Sequence, residues 1–505
     1  MDFELEQNVI LCYENAGQAA VCQEETQEAI VPDACPDILR IVEVCAQAFP
    51  SRCEMGEGQA TVVGMIQATV LYMPETGALL QSIPLRLPFS VRVDVPGNNP
   101  GSVAEMAARI CHADARILNP RKLLLRCDLM VEVTALCRRE HTVSTAVLPS
   151  EQTQICQQHQ TLEYERQSAA PQRIFPISEE IRLTGSQPPI LLASRACVRC
   201  DESRIIGSKL IFKGKVDVDL LIQTSEGDMD HRLESFPFSQ ILEAKGAGEN
   251  GSCHVQLELS EFSCVQPLDD PYHLMIEAEV LAMGRVHETE QLVVLTDLYS
   301  TTHHCQLEEK ENILHTPSQR TVIPQTLREL LETDDVVRTV CSCRFQPGPV
   351  LCVPDQNAFS LSIHGYISAL YLDEERRPRL IEKQVELTAR CNVSPDSRIL
   401  HLTFLPGEVY AAPCVGGIEV RLNGDFSLLT ADPLTIRTIQ SASLGEARNA
   451  GQRSPSVTLR RPEDGESLWD IAKACGSTRE EILQANELTV EDLPTGKLLL
   501  IPGCR

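Results

Sequence analysis

Three groups of residues in this 505-residue chain have types and spacings that could do chemistry. Gly246-Ala247-Gly248-Glu249-Asn250-Gly251 is a literal G-x-G-x-x-G, the loop form that lets a backbone approach a pyrophosphate. That chemistry needs a strand before the loop and a helix after it, so that the phosphates meet a helix N-terminus. Here an alternating segment follows, with Val255, Leu257 and Leu259 on one parity, so the stretch reads as a hairpin loop. Cys197-Val198-Arg199-Cys200 is a single C-x-x-C. Structural zinc takes four ligands, usually from two such pairs. His303-His304-Cys305 and Cys341-Ser342-Cys343 lie more than 100 residues away, so no metal is assigned. The paired carboxylates Asp217 and Asp219 fall on the outward parity of a strand and read as solvated surface. The chain has no H-E-x-x-H, no G-x-S-x-G and no Walker A sequence. No catalytic residue, cofactor or enzymatic activity is assigned.

The elements that would position such groups are set by composition and periodicity. A net charge of −27 argues against nucleic acid or an anionic membrane surface, both of which need basic patches. No window approaches the length of apolar run that spans a bilayer. The acidic start, Met1-Asp2-Phe3-Glu4-Leu5-Glu6, lacks the basic flank and apolar run of a signal peptide, so a cytoplasmic location is expected. The 21 cysteines are spread evenly, and several sit at inward strand positions such as Cys127, where Cys acts as a small hydrophobe. They read as reduced core residues.

Phe212, Gly214, Val216, Val218 and Leu220 alternate with charged residues, the period of a strand with one buried face. The same strand appears around Gly64 and Gly365, with the three glycines separated by 150 and 151 residues. This is a repeat of whole domains. Gly in a strand centre weakens it unless another group must approach closely, so all three glycines are expected at equivalent positions, each facing backbone or a bulky side chain. Pro88-Phe89 and Pro237-Phe238 follow two of the glycines at matching distances, and the third copy lacks the pair. Short helices are expected at Pro36, at residues 102–110 behind an S-x-x-E box (Ser102, Glu105), and at residues 326–332. The expected fold is mainly β: three antiparallel, sandwich-like units at residues 1–150, 151–308 and 309–440. A polar linker at 441–455 and a small βααβ module at 456–505 complete it.

In that last module Ser467 is a candidate N-cap, Gly476 a C′ residue, and Thr478 with Glu481 a second capping box. Gly465-Glu466-Ser467-Leu468-Trp469-Asp470-Ile471-Ala472 closely resembles the first helix segment of a LysM domain. Asn486-Glu487-Leu488 and the Pro494-Thr495-Gly496 turn resemble the rest of it. The earlier units resemble the SPOCS domain of spore-coat and spore-envelope proteins. The resemblance rests on Pro36-Asp37-Ile38-Leu39-Arg40-Ile41, the glycine-centred strands, Pro-Phe, and Thr296-Asp297-Leu298-Tyr299-Ser300. The resemblance implies a non-enzymatic coat-assembly scaffold in the mother-cell cytoplasm at the forespore surface. Its implied partners are other coat proteins, with a SpoIVA-type basement ATPase among them. The LysM resemblance also implies peptidoglycan as an alternative ligand. It places the groove at Asp464, Gly465, Glu466, Ser467, Asn486, Glu487 and Leu488, with an acidic rim suited to a basic protein surface. Trp469 is expected to pack in the module core, with a protein or glycan contact at its edge as the functional alternative.

Overall fold

The computed structural model describes the chain except residues 1, 78, 149–153, 186, 225, 249–250, 318–319, 357, 394–395, 449–455, 464, 489–497 and 504–505. Alternation in the sequence becomes alternation in burial. Leu123, Leu125, Cys127, Leu129, Val131 and Val133 are fully buried, while the intervening side chains, Met130 apart, reach the margin of the surface.

The first unit contains β1 (Leu5–Ile30), β2 (Ile38–Met55), β3 (Gln59–Pro74), β4 (Gln81–Asp94), β5 (Val103–Asn119) and β6 (Lys122–Val147). One antiparallel sheet has the order β2-β3-β4, and a second has the order β1-β6-β5. Val62 and Ile66 from β3 join Leu125 and Leu129 from β6 in one core, so the two sheets form a sandwich.

The second unit repeats this plan with β7 (Ile155–Ala169), β8 (Gln172–Arg182), β9 (Ile190–Ile206), β10 (Lys209–Gln223), β11 (Met229–Glu243), β12 (Ser252–Val265) and β13 (His273–Ser300). Here β7 and β8 both pair with β13 and together replace β1. Pro171 lies at the break between them, where a residue without an N–H interrupts the ladder.

The third unit has β14 (His303–Pro317), β15 (Thr321–Glu332), β16 (Thr339–Asp355), β17 (Ala358–Leu372), β18 (Pro378–Asn392), β19 (Arg398–Cys414) and β20 (Gly417–Ala447). Its sheets are β16-β17-β18 and, around β20, the strands β14, β15 and β19. The C-terminal module follows as β21 (Val457–Arg460), α1 (Leu468–Cys475), α2 (Arg479–Ala485) and β22 (Leu499–Pro502).

The long strands outrun their own sandwiches and meet. Ile10 and Val143 of the first unit pack with Tyr164 and Val294 of the second and with Leu314 and Ile436 of the third. On the other sheets Leu71, Leu221 and Leu370, spaced 150 and 149 residues apart, share one cluster. The three units therefore surround a common pseudo-threefold axis. Buried ion pairs tie neighbours together: Glu105 of β5 with Arg285 of β13, and Glu43 of β2 with Arg344 of β16.

Gly64, Gly214 and Gly365 each occupy the central strand of a three-stranded sheet, on β3, β10 and β17. A Cβ at Gly64 would overlap the Phe49 carbonyl and the Phe89 ring, and one at Gly214 the Arg199 carbonyl and the Phe238 ring. At Gly365 the obstacles are the Phe345 ring and the Gln346 carbonyl. The third copy lacks a Pro-Phe pair on β18, and Phe345 of the opposite neighbour β16 fills the same space. Gly214→Ala is expected to lower stability by roughly 1–3 kcal/mol in urea unfolding, because overpacking forces the ring and ladder apart. Gly56→Ala, where a Cβ meets only ordinary contacts with Gln59, is the matched control and should stay within about 0.5 kcal/mol.

Several expectations need correction. Residues 102–110 and 326–332 are strand, not helix, within β5 and β15. Pairing with β6 and β20 satisfies their backbone and overrides a local preference for helix. Pro36 opens no helix, because β2 begins at Ile38. Residues 441–447, read as linker, continue β20; the remainder at 449–455 lies outside the described residues. The G-x-G-x-x-G stretch, of which residues 249–250 lie outside the described residues, crosses from one sheet to the other. It follows β11, which pairs with β10, and precedes β12, which pairs with β13, so it is not a hairpin. Asp217 is not solvated: it is buried and held by Ser235 and by Arg199 at 3.4 Å. Asp219 instead meets His231 at 2.6 Å. The described cysteines are all free, six of them buried.

Candidate functional site

The C-terminal module builds its two helices on paired caps. The Ser467 hydroxyl accepts from the Asp470 N–H at 3.2 Å and Asp470 accepts from the Ser467 N–H at 3.0 Å, closing a capping box on α1. Gly476 ends the helix with φ of 67°, a conformation that favours glycine. Thr478 and Glu481 close the second box on α2. Between the helices and the β21–β22 pair lie Leu468, Ile471, Ala472, Ile482, Leu499 and Ile501, a core of few residues.

Trp469 belongs to that core and also leaves it. Its ring is buried and stacks edge-on against Tyr299 of β13, with centroids 4.8 Å apart. Its Nε1 donates to Asp297 at 2.7 Å, and Lys473, one turn along α1, reaches both oxygens of Asp297 at 2.7 Å. The Tyr299 hydroxyl donates to the Ser477 carbonyl at 2.8 Å. Arg448 donates to the Lys473 carbonyl at 2.8 Å and to the His303 carbonyl at 3.2 Å. One face of the module is thus fastened to the end of the second unit. The β7–β13 ladder slips by one residue between Leu295 and Asp297, and such a bulge re-aims the side chains that follow it.

The described residues expected to form a groove take no part in these docking contacts. Gly465, Ser467 and Glu487 are exposed; Asp464 lies outside the described residues, as do residues 494–496. Glu466 is turned inward, paired with Arg460 and accepting from the Glu463 N–H at 3.1 Å, so it does not form an open acidic rim. The Asn486 side chain bridges to β22, donating to the Leu500 carbonyl at 2.7 Å and accepting from the Leu500 N–H at 2.7 Å. Leu488 packs against the module core. Among the described residues of these two loops, hydrogen bonds hold Glu466 and Asn486 in place, and the exposed acids are Glu463 and Glu487.

The model of the family described as SipL, SPOCS domain matches residues 37–118, and that of the LysM domain matches residues 463–502. The chain carries a SipL-type SPOCS domain and a C-terminal LysM domain. Both are non-catalytic domain families, and together they fit a sporulation protein associated with the coat and equipped with a peptidoglycan-binding type of module. No curated protein and no solved structure matches the chain. No helix among the described residues is long and apolar enough to cross a membrane.

The residues that dock the LysM module, Asp297 and Tyr299, were visible in sequence only as part of the Thr-Asp-Leu-Tyr-Ser motif of the second SPOCS-like unit. The one available signal was an acid set among Leu295, Leu298 and Tyr299. A second group was missed. Cys12, Glu14 and His141 place potential metal-ligating atoms within 4.8 Å of one another. Cys12 and Glu14 share one strand face, but His141 arrives from β6, and only the β1–β6 ladder reveals it. Glu14 already meets His141 at 2.7 Å, and burial pushes the Cys12 thiol up to about 12. The C-x-x-C cysteines both lie on β9, Cys197 exposed and Cys200 part-buried with its thiol bonded to the Glu202 carbonyl at 3.4 Å.

Proposed function

We propose that this chain is a non-enzymatic scaffold of spore-coat assembly that presents its LysM groove to a protein partner, a SpoIVA-type ATPase by family expectation, at the forespore surface. The supporting observation is the fastening of Trp469 and Lys473 to Asp297, which fixes the module on the SPOCS-like units and leaves the groove loops outward. The exposed acids Glu463 and Glu487 suit a basic protein surface better than an uncharged sugar. Asp464, beside Glu463 in sequence, adds a third acid. Units at about 1–150, 151–308 and 309–440 provide the platform.

Charge reversal tests this with the full chain. Asp464→Lys with Glu487→Lys is expected to slow association with the ATPase and flatten its salt dependence, at an unchanged melting temperature. Glu466 is left intact because its partner Arg460 would otherwise be stranded. The LysM match favours peptidoglycan as the second reading. Co-sedimentation of the full chain with purified peptidoglycan, unaffected by the reversals and unaccompanied by ATPase binding, would replace the first reading with the second.

A further inference from the structure

Cys12, Glu14 and His141 bring together a thiol, a carboxylate and an imidazole, the ligand types of a zinc-class site. Among the described residues, only here do three such side chains gather within 4.8 Å of one another. They stand on one face of the β1–β6 ladder. Cys12 and Glu14 are two apart on β1, and His141 of β6 lies opposite Ile10, which shares their parity. Glu14 and His141 come from either side of Cys12 and meet at 2.7 Å. The Cys12 Sγ lies 3.8 Å from the same carboxylate oxygen.

Zinc at its usual bond lengths holds tetrahedral nitrogen and oxygen ligands about 3.4 Å apart, and sulfur and oxygen ligands about 3.6 Å apart. The Cys12–Glu14 distance is within about 0.2 Å of that spacing. The Glu14–His141 distance must open by about 0.7 Å, because a metal takes the place of the proton that joins the two groups. The thiol proton of Cys12 leaves to solvent, since a bound dication deprotonates a coordinating thiol outright.

The other two units hold the ligand strands in place. Arg166 of β7 donates to the carbonyl of Leu11, next to Cys12, at 2.8 Å. Asn312 of β14 donates to the carbonyl of Thr142, next to His141, at 3.2 Å. Ligands from the first unit thus have outer supports from the second and third, and such supports set how firmly a metal is held. The surrounding charge suits a dication with two anionic ligands. Arg166 is taken up by Glu288 and Glu290, and Arg285 by Glu105. Arg139 and Arg398 are exposed, where salt screens them. The His141 and Glu14 side chains keep 17% and 24% of their surface open. Glu14 also lines, with Asn15, His315 and Arg285, a cavity of about 430 Å³, which gives room for entry and for a water as fourth ligand.

We infer that Cys12, Glu14 and His141 bind one zinc-class divalent ion where the three units meet, through a thiolate sulfur, a carboxylate oxygen and an imidazole nitrogen. The ion pins the N-terminal half of β1 to β6 at the junction. This site is independent of the LysM groove and of the scaffold reading.

The probe is Co²⁺, titrated into the reduced full chain without oxygen and then displaced by Zn²⁺. One Co²⁺ per chain is expected, with a thiolate-to-cobalt charge-transfer band in the near ultraviolet and the intense visible bands of a tetrahedral ion. Zn²⁺ should bind with Kd of about 1 μM or below and raise Tm by about 2 °C or more at about a hundredfold excess over Kd. Mg²⁺ at about a thousandfold excess should displace neither, because a hard ion avoids thiolate and imidazole. Cys12→Ala should abolish the charge-transfer band. His141→Gln changes a part-exposed residue and tests the site even if Cys12→Ala does not fold. It should weaken zinc by about a hundredfold or more, since a lost outer partner alone costs about 10–100-fold. Cys197→Ser, in the C-x-x-C on β9, is the control and should keep the band. Absence of the band from the native chain would overturn the site, as would a band that survives Cys12→Ala or disappears in Cys197→Ser. Unchanged zinc affinity in His141→Gln, or displacement by Mg²⁺, would overturn it equally.

Discussion

Replacing Trp469 by alanine is expected to unfold the LysM module while the β units stay folded. A buried tryptophan truncated to alanine costs about 3–5 kcal/mol. A module of about fifty residues holds only about 3–7 kcal/mol at typical per-residue stability, so the loss takes most of it. Limited proteolysis with mass spectrometry should show cleavage confined to the region after residue 456. Asp297→Ala separates docking from folding. It removes the acceptor shared by Trp469 and Lys473 but leaves the module core of Leu468, Ile471 and Ile482 intact. Trp469 is the chain's one tryptophan, so its fluorescence reports on this contact directly. Undocking should wet the ring and shift its emission to the red. An unshifted spectrum in a soluble Asp297→Ala protein would mean that the ring is buried by the module alone.

The second large effect concerns Glu105. Glu105→Leu leaves Arg285 charged, buried and without its partner, and breaking one side of a buried pair costs about 3–5 kcal/mol. Removing both sides is different. Glu105→Leu with Arg285→Met is expected to recover most of the loss, because a buried pair replaced by apolar residues of similar volume is often neutral or better. Urea midpoints of the two single variants and the double variant measure this coupling. The losses should be insensitive to added salt, since a pair this enclosed is little screened. Additive effects would show that Glu105 and Arg285 act separately.

Much of this was legible in the sequence. The glycine-centred strands and the Leu125–Val133 alternation stood out because a half-buried strand writes its burial into every second residue. The LysM module was legible because caps are local: Ser467 with Asp470 and Thr478 with Glu481 satisfy neighbours in sequence. What escaped depends on contacts across the chain. Residues 102–110 contain Ala, Met, Arg and Glu, good helix formers, and only the β6 partner makes them a strand. For residues 326–332 the signal was present. Val322-Ile323-Pro324 matches Ile174-Phe175-Pro176 of β8, and the following residues alternate as β8 does. The turning of Glu466 toward Arg460, the docking of Trp469 on Asp297 and the cavity behind Arg285 all join groups whose proximity no spacing rule encodes.

The Glu43–Arg344 pair has an evolutionary side. Glu43 stands opposite Leu71 in the ladder, and the same place opposite Leu221 and Leu370 is held by Ala193 and Ser342. Arg344 likewise has Cys45 and Arg195 as its counterparts, opposite Thr69 and Asp219. Three copies of an ancestral unit could have assembled as a homotrimer about the leucine axis. The present first unit could not: three copies of Glu43 would converge there without one arginine beside them, a like-charge penalty in a dry site. Fusion into one polypeptide made this inequality affordable. It gives the assembly a fixed order of non-identical parts, and with it a single tail module where a trimer would carry three.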